Sequence, residues 1–168
     1  MTQPTRATPR NRTIAVFGAY GHTGRFVVAE LCKRGWTPIP CGRDEDKLRT
    51  FGVAYPALQS RVAAIEDPRS LDRAFAGAAA IINCAGPFLD TAPAVLEAAL
   101  RARVHYFDVT AEQGAAADVF QRFSSRALEA GVVVIPAMGF YGGLGDLLAT
   151  AATADWTDIE EIQIAVAL

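Results

Sequence analysis

The sequence predicts an α/β fold, a doubly wound parallel sheet of about six strands with helices on its faces. Two observations indicate this class. Short apolar segments alternate with longer amphipathic segments along the chain, which is how strands and helices follow one another in a parallel sheet. Glycine and polar residues come directly after each apolar segment. Because ligands bind outside the carboxyl ends of parallel strands, these positions supply the candidate functional residues.

The first element is a strand that ends in three glycines. An apolar run at 13–17 leads into Gly18, Gly21 and Gly24, and an amphipathic helix is expected at 25–34. Gly18 permits a tight turn, Gly21 lets the backbone approach a phosphate, and Gly24 lets the helix lie close to the strand. The N–H groups of the first helical turn have no partner inside the helix and point towards any anion that lies there. A glycine-rich turn without a ligand would leave Gly21 unexplained.

The turn is therefore predicted to bind the pyrophosphate of a dinucleotide. The residues expected to contact this part of the cofactor are Gly18, Tyr20, Gly21, His22, Thr23 and Gly24. For His22, the backbone is expected to matter more than the ring.

The remaining elements alternate in the same way. Strands are expected at 37–41, 61–65, 79–84, 104–109 and 132–135, and helices near 48–51, 70–75, 91–102, 115–130 and 146–153. Ser70 is expected to cap the third helix, and Gly131 to end the fifth. The last strand consists of four β-branched residues and is therefore expected to be fully buried.

One complete domain is predicted, at residues 13–154. Residues 1–12, rich in Thr, Pro and Arg, are expected to be a disordered tail. The apolar segment 159–168 has the pattern of a strand, so residues 155–168 are expected to begin a second, truncated domain for substrate binding or dimerisation. This segment could pair with a second copy in a homodimer.

The composition is that of an ordinary globular protein. The chain has 168 residues, 51% hydrophobic and 20% charged, with a formal net charge of -2. This balance gives no reason to expect nucleic acid or an anionic membrane as a partner, and no apolar run reaches the roughly 20 residues of a membrane span. The three cysteines have neither metal-ligand nor redox spacing, which predicts reduced thiols, a cytoplasmic location and no bound metal.

The end of the second strand bears on the choice between NAD and NADP. An acidic side chain about 20 residues after the glycine turn would bind a ribose 2′-hydroxyl and repel a 2′-phosphate. The strand ends at Gly42 without an acid, and the planar guanidinium of Arg43 suits a phosphate. Asp44 is the competing candidate, although it could instead cap the next helix. The balance favours NADP over NAD.

Two further strand ends are expected near the cofactor. Asp67 would lie near the adenine, although a turn formed with its neighbours explains it equally well. Residues 83–87 should pass the nicotinamide ribose. The cofactor contacts expected there are Cys84, Ala85, Gly86 and Pro87.

A group of acids and a hydroxyl follows the fifth strand. Asp108, Thr110 and Glu112 could orient the nicotinamide or touch a substrate, with Thr110 at the cofactor, or they could begin the next helix. The sequence leaves these two roles open. No tyrosine is followed four residues later by a lysine, so the proton-transfer pair of short-chain dehydrogenases is absent, and no catalytic residue is assigned.

Five segments occur together in an order that is similar to a known family. They are 18–24, 41–43, 83–88, 104–112 and 136–140. The set resembles the NAD(P)-binding domain of the saccharopine dehydrogenase-like family, which includes saccharopine reductases and trans-acting enoyl reductases. The resemblance implies a Rossmann-type domain over about residues 13–154 that binds NADP(H), with the three glycines at the pyrophosphate and Arg43 at the 2′-phosphate.

By the same resemblance the protein would be an oxidoreductase that transfers a hydride to or from a small-molecule substrate. The chain departs from the family at Ala111, where members often carry glycine, and at 141–146, where they often carry aspartate, serine and proline. The substrate therefore stays unassigned, and the isolated chain is expected to bind the cofactor without turnover. The alternative function is a non-catalytic module that senses NADP and passes the redox state to a partner protein.

Overall fold

The structure is a computed structural model that describes residues 11–164, without the side chain of Tyr141. Six strands form one parallel sheet in the order β3-β2-β1-β4-β5-β6. The predicted doubly wound α/β fold is confirmed. The elements in chain order are β1 Thr13–Phe17, α1 His22–Lys33, β2 Thr37–Gly42, α2 Glu45–Gly52, β3 Arg61–Val62, α3 Pro68–Phe75, β4 Ala80–Asn83, α4 Phe88–Ala102, β5 His105–Asp108, α5 Gln113–Ala130, β6 Val134–Ile135 and α6 Gly145–Ala152, the last preceded by a π-helical turn at Phe140–Leu144.

β1 lies at the centre of the sheet and pairs with both β2 and β4. The sheet grows in one direction from β1 to β3 and in the opposite direction from β4 to β6. The crevice between the ends of β1 and β4 is therefore the topological switch point, where ligands bind in open α/β sheets.

The central strands are buried on both faces, because helices cover the sheet from both sides. Ala15 and Phe17 belong to an apolar cluster with residues of α3, α4 and α5, whereas Ile14 and Val16 point the other way and pack near Val28 of α1. This alternation is the period of two that a strand imposes on its side chains.

Several expectations about the ends of elements are wrong. α3 begins at Pro68, and the Asp67 carboxylate accepts a hydrogen bond from the Arg69 N–H at 3.0 Å. Ser70 is buried and does not cap the helix. The sixth strand is shorter than predicted and is not fully buried, because it lies at the sheet edge and pairs with β5 alone among the described strands. The expected end of α5 is confirmed, since Gly131 occupies its C-terminal cap at φ 67°.

The predictions for the two chain ends are only partly covered by the structure. Residues 1–10 of the predicted tail lie outside the described residues, but Asn11 donates a hydrogen bond to the Gly77 carbonyl and Arg12 to that of Arg34. Residues 159–164 form no strand. A strand needs a neighbour for its hydrogen bonds, and no described strand lies beside this segment.

Candidate functional site

A cleft of about 430 Å³ opens at the carboxyl ends of β1, β2 and β4, at the switch point of the sheet. The glycine turn, the residues after β2 and the segment between β4 and α4 form its walls. The predicted cofactor residues that line it are Gly18, Tyr20, Gly21, Arg43, Cys84, Ala85, Gly86 and Pro87. Residues that the sequence did not single out, among them Glu66, Asp90 and Thr91, also line it.

The glycine turn folds tightly against the end of β2. Gly18 has a φ of +81°, and its N–H donates to the Cys41 carbonyl at 2.8 Å. A Cβ atom on Gly24 would overlap the Gly18 carbonyl oxygen. At Gly21 a Cβ atom would meet only that same oxygen, at 3.1 Å. Packing within the fold therefore requires glycine less strictly at position 21 than at position 24. Gly21 lines the cleft, which favours the ligand-based explanation for it.

The N-terminus of α1 is free to bind an anion. Its N-cap is Gly21, which provides no side-chain cap, and its first turn contains no acidic residue. The N–H groups of His22, Thr23 and Gly24 donate no hydrogen bond to any residue in the described part of the chain. Unsatisfied N–H groups and the positive end of the helix dipole together favour a phosphate at this position.

Arg43 and Asp44 differ in their availability at the end of β2. Arg43 is exposed and lines the cleft, and within residues 11–164 its side chain has neither an ion pair nor a hydrogen bond. Asp44 is the N-cap of α2 and accepts a hydrogen bond from the Lys47 N–H at 3.0 Å. This bond holds the pKa of Asp44 below its ordinary value. The alternative that Asp44 caps the helix is confirmed.

Asn83 and Thr91 hold the segment between β4 and α4 in its conformation. The Asn83 Oδ1 accepts a hydrogen bond from the Ala85 N–H at 3.0 Å, and the Thr91 hydroxyl donates to the Ala85 carbonyl at 2.5 Å. The two side chains also contact each other, with Asn83 Nδ2 donating to Thr91 Oγ1 at 3.2 Å. These supporting roles were not predicted from the sequence. The asparagine at the end of a buried strand was the feature that could have indicated them.

The surroundings of Cys41 and Cys84 keep both thiols unreactive. Burial raises the pKa of each to about 12, so both remain neutral near pH 7. Cys84 lies in the cleft wall, where it contributes a small apolar surface.

Asp108 is fully buried behind the cleft and joins three parts of the chain. Its carboxylate accepts hydrogen bonds from the Tyr106 hydroxyl at 2.9 Å, the Thr110 N–H at 3.0 Å and the Ala137 N–H at 2.8 Å. Desolvation and the neighbouring Asp108 raise the pKa of Tyr106 above its ordinary value. The structure thus gives Asp108 a structural role and leaves none of its carboxylate directed at the cleft.

Thr110 and Glu112 also form turn and cap interactions. Thr110 is buried and does not line the cleft, and its hydroxyl accepts a hydrogen bond from the Glu112 N–H at 3.0 Å. The Glu112 carboxylate accepts hydrogen bonds from the N–H groups of Phe88 and Leu89 at 2.9 and 3.0 Å. Capping is therefore the role that the contacts support. As the alternative expected, α5 begins here, with Glu112 as its N-cap residue. The Glu112 side chain also caps a second helix, α4, which begins at Phe88 and not at 91.

Asp67 does not line the cleft, and its contacts favour the alternative role in the turn before α3. Its carboxylate caps α3 and lies 3.6 Å from Arg73. The adjacent Glu66 lines the cleft, whereas Asp67 does not. Among residues 11–164 there is no group of three or more His, Cys, Asp or Glu side chains suited to a metal ion, and no described helix is long and apolar enough to cross a membrane.

An uncapped helix N-terminus at the switch point of a six-stranded parallel sheet defines a Rossmann-type dinucleotide-binding domain. Residues 14–135 match the family model of the saccharopine dehydrogenase NADP binding domain. The chain belongs to this family. The family predicted from the sequence is confirmed, and with it NADP as the cofactor.

The curated relatives are longer proteins. A saccharopine dehydrogenase-like oxidoreductase of Bos taurus is 28% identical over 145 residues, which cover 76% of this chain and 34% of the relative. A lipid droplet localized protein of Caenorhabditis elegans is 31% identical over 139 residues, which cover 76% of this chain and 33% of the relative. The chain therefore spans about a third of the length of the curated relatives it matches.

Among solved structures, apo saccharopine dehydrogenase (L-Glu forming) from Saccharomyces cerevisiae has a similar fold. The TM-score is 0.71 at 16% identity, over 86% of this chain and 31% of that chain. At this identity the similarity shows the fold alone.

Proposed function

We propose that the chain is the cofactor half of an oxidoreductase that transfers a hydride between NADP(H) and a small-molecule substrate. The observation that carries this proposal is the combination, in one cleft, of an uncapped, acid-free N-terminus of α1 and the guanidinium of Arg43, which has no partner among residues 11–164. A dinucleotide with a 2′-phosphate has anionic groups at two separate points, and these two features supply a positive partner for each.

The cleft residues divide the cofactor between them. The N–H groups of the first turn of α1 would bind the pyrophosphate, and Arg43 would bind the 2′-phosphate. The segment from Cys84 to Pro87 would pass along the nicotinamide ribose, with its shape maintained by Asn83 and Thr91. When bound, the nicotinamide would supply the hydride-transfer chemistry.

The nicotinamide end of the cleft is open in the described residues. Gly86 and Pro87 are exposed, and Asp108 and Glu112 are engaged in hydrogen bonds elsewhere. Hydride transfer requires a substrate site from which water is excluded. We therefore expect this chain on its own to bind NADP(H) without steady oxidation of NADPH.

We also propose a cytoplasmic location and a homodimer. The three free thiols support the location, and subcellular fractionation would test it, with recovery in an organelle or on lipid droplets as the contrary result. The exposed side chains of Leu147 and Leu148 on α6 support the dimer. Sedimentation would test it, and a monomer at all concentrations would argue against it.

Thermal unfolding with NADPH, with NADH and without ligand tests the proposed cofactor site. A ligand at 100 times its dissociation constant stabilises a protein by about 2.7 kcal/mol, which corresponds to a rise in Tm of about 5–10 °C for a domain of this size. We expect this shift with NADPH and a smaller one with NADH at the same concentration. No shift with either cofactor would refute the proposed function.

A further inference from the structure

Tyr20 lies between the glycine turn and the end of β2. Its side chain lines the cofactor cleft and also a second depression, formed together with Arg25, Asp44 and Lys47. The Tyr20 hydroxyl accepts a hydrogen bond from the Asp44 N–H at 3.2 Å, and the Lys47 ammonium lies 5.9 Å from the ring centre. These contacts with the start of α2 hold the ring in one position.

The ring of Tyr20 covers Gly42, the last residue of β2. A Cβ atom added to Gly42 would lie 2.5 Å from Cε1, 3.0 Å from Cζ and 3.1 Å from the hydroxyl oxygen of Tyr20. A carbon atom cannot approach an aromatic carbon this closely, because the van der Waals contact distance is about 3.5–4.0 Å. Any side chain at position 42 therefore requires the ring of Tyr20 to shift, against its hydrogen bond with Asp44.

Position 42 is also the place where an acid would favour NAD. In dinucleotide-binding domains a carboxylate about 20 residues after the glycine turn binds the ribose 2′-hydroxyl and repels a 2′-phosphate. Gly42 ends β2 and lines the cleft beside Arg43. The next acid along the chain, Asp44, caps α2, lies 3.3 Å from the Lys47 ammonium and does not line the cleft.

We infer that the ring of Tyr20 makes glycine necessary at position 42 and so prevents an acid at the end of β2 from changing the cofactor preference to NAD. The inference rests on the NADP(H) cleft proposed above. Arg43 attracts the 2′-phosphate, and Tyr20 prevents the end of β2 from carrying the carboxylate that would repel it. The preference for NADP then comes from Arg43, and Tyr20 opposes its inversion by a substitution at position 42.

A double-variant cycle tests the inference, with the dissociation constants of NADPH and NADH measured by fluorescence titration. Gly42→Asp alone should weaken both cofactors, because the new side chain displaces the Tyr20 ring, which lines the cleft. Tyr20→Ala alone should keep the preference for NADPH, since Arg43 remains. Tyr20→Ala combined with Gly42→Asp should invert the preference, weakening NADPH by about 10- to 100-fold and tightening NADH by about 10-fold, the range of charge-assisted hydrogen bonds.

Two further variants serve as controls. Gly52→Asp introduces the same charge where an added Cβ atom would meet nothing within 4 Å, and it should change neither dissociation constant. Tyr20→Phe keeps the ring over Gly42, so it should keep the preference for NADPH. A general loss of folding, monitored by circular dichroism, would affect both cofactors equally and would leave no inversion.

The inference is overturned if Gly42→Asp alone already inverts the preference, because the ring would then be no barrier. A folded double variant with the wild-type preference would overturn it as well. If the double variant does not fold, Gly42→Ala replaces Gly42→Asp in the test. With Tyr20 present, Gly42→Ala should weaken the binding of both cofactors by about tenfold, as overpacking does. In the Tyr20→Ala background it should have no effect on binding. Equal effects in both backgrounds would overturn the inference alone, whereas a wild-type chain that binds neither cofactor would overturn the proposed function with it.

Discussion

Replacing Arg43 by alanine should weaken the binding of NADPH and leave the binding of NADH nearly unchanged. Arg43 lines the cleft, and its guanidinium has no ion pair or hydrogen bond among residues 11–164. The replacement therefore breaks no described contact within the protein, and the free energy of unfolding should change by no more than about 0.5 kcal/mol. The loss should be confined to the cofactor that carries a 2′-phosphate.

The exposure of Arg43 sets the size of this effect. A charge-assisted hydrogen bond to a phosphate contributes about one to two decades of affinity. Because the guanidinium is exposed to solvent and salt, we expect the lower end of this range, about a tenfold increase in the NADPH dissociation constant at moderate ionic strength.

Fluorescence titration of both cofactors measures the prediction. Arg69→Ala is a matched control, because Arg69 is also exposed and lies outside the cleft. It removes the same charge and should change neither dissociation constant. An equal weakening of NADPH and NADH by Arg43→Ala would show that Arg43 supports the loop after β2 and does not distinguish the two cofactors.

Two predictions concern the turn and the buried network. Gly24→Val should destabilise the fold by several kcal/mol, because even its Cβ atom would overlap the Gly18 carbonyl oxygen. Gly21→Val should instead remain folded and lose NADPH binding. Urea denaturation measures the first effect and cofactor titration the second, and a stable Gly24→Val variant would contradict the packing argument. Asp108→Ala should cost at least about 3 kcal/mol of stability, because the Tyr106 hydroxyl and the N–H groups of Thr110 and Ala137 lose their buried acceptor. A cost below about 1 kcal/mol in urea denaturation would show that water or another group replaces the carboxylate.

The order of strands and helices could be predicted because local patterns determine it. A buried parallel strand is a short apolar run and a covering helix is amphipathic, and both can be recognised without knowing the neighbours. The exposure of β6 could not be predicted in this way. Val134 and Ile135 have the residue type of a central strand, and only the strand order shows that they lie at the edge of the sheet.

The roles of the acids were harder to predict, because a carboxylate that caps a helix and one that binds a ribose occur at the same strand ends. Asp44, Asp67 and Glu112 all form caps in the structure. For Glu112 the capped helix is α4, whose first residue, Phe88, lies 24 residues earlier in the chain, so the contact is visible only after β4 and β5 have paired. The contact between Tyr20 and Gly42 depends in the same way on the pairing of β1 with β2.

The cap that Glu112 places on α4 has a consequence for the direction in which a cofactor can lie. Of the helices that begin beside the cleft, α1 and α4 follow the two strands at the switch point, and each would offer a positive end to an anion. The Glu112 carboxylate already occupies the N-terminus of α4, and the N-terminus of α1 carries no acid. The cleft is therefore asymmetric along its length, with a single open position for the centre of a dinucleotide. With the adenosine half directed to Arg43, as proposed above, we expect the reactive half to extend over the end of β4.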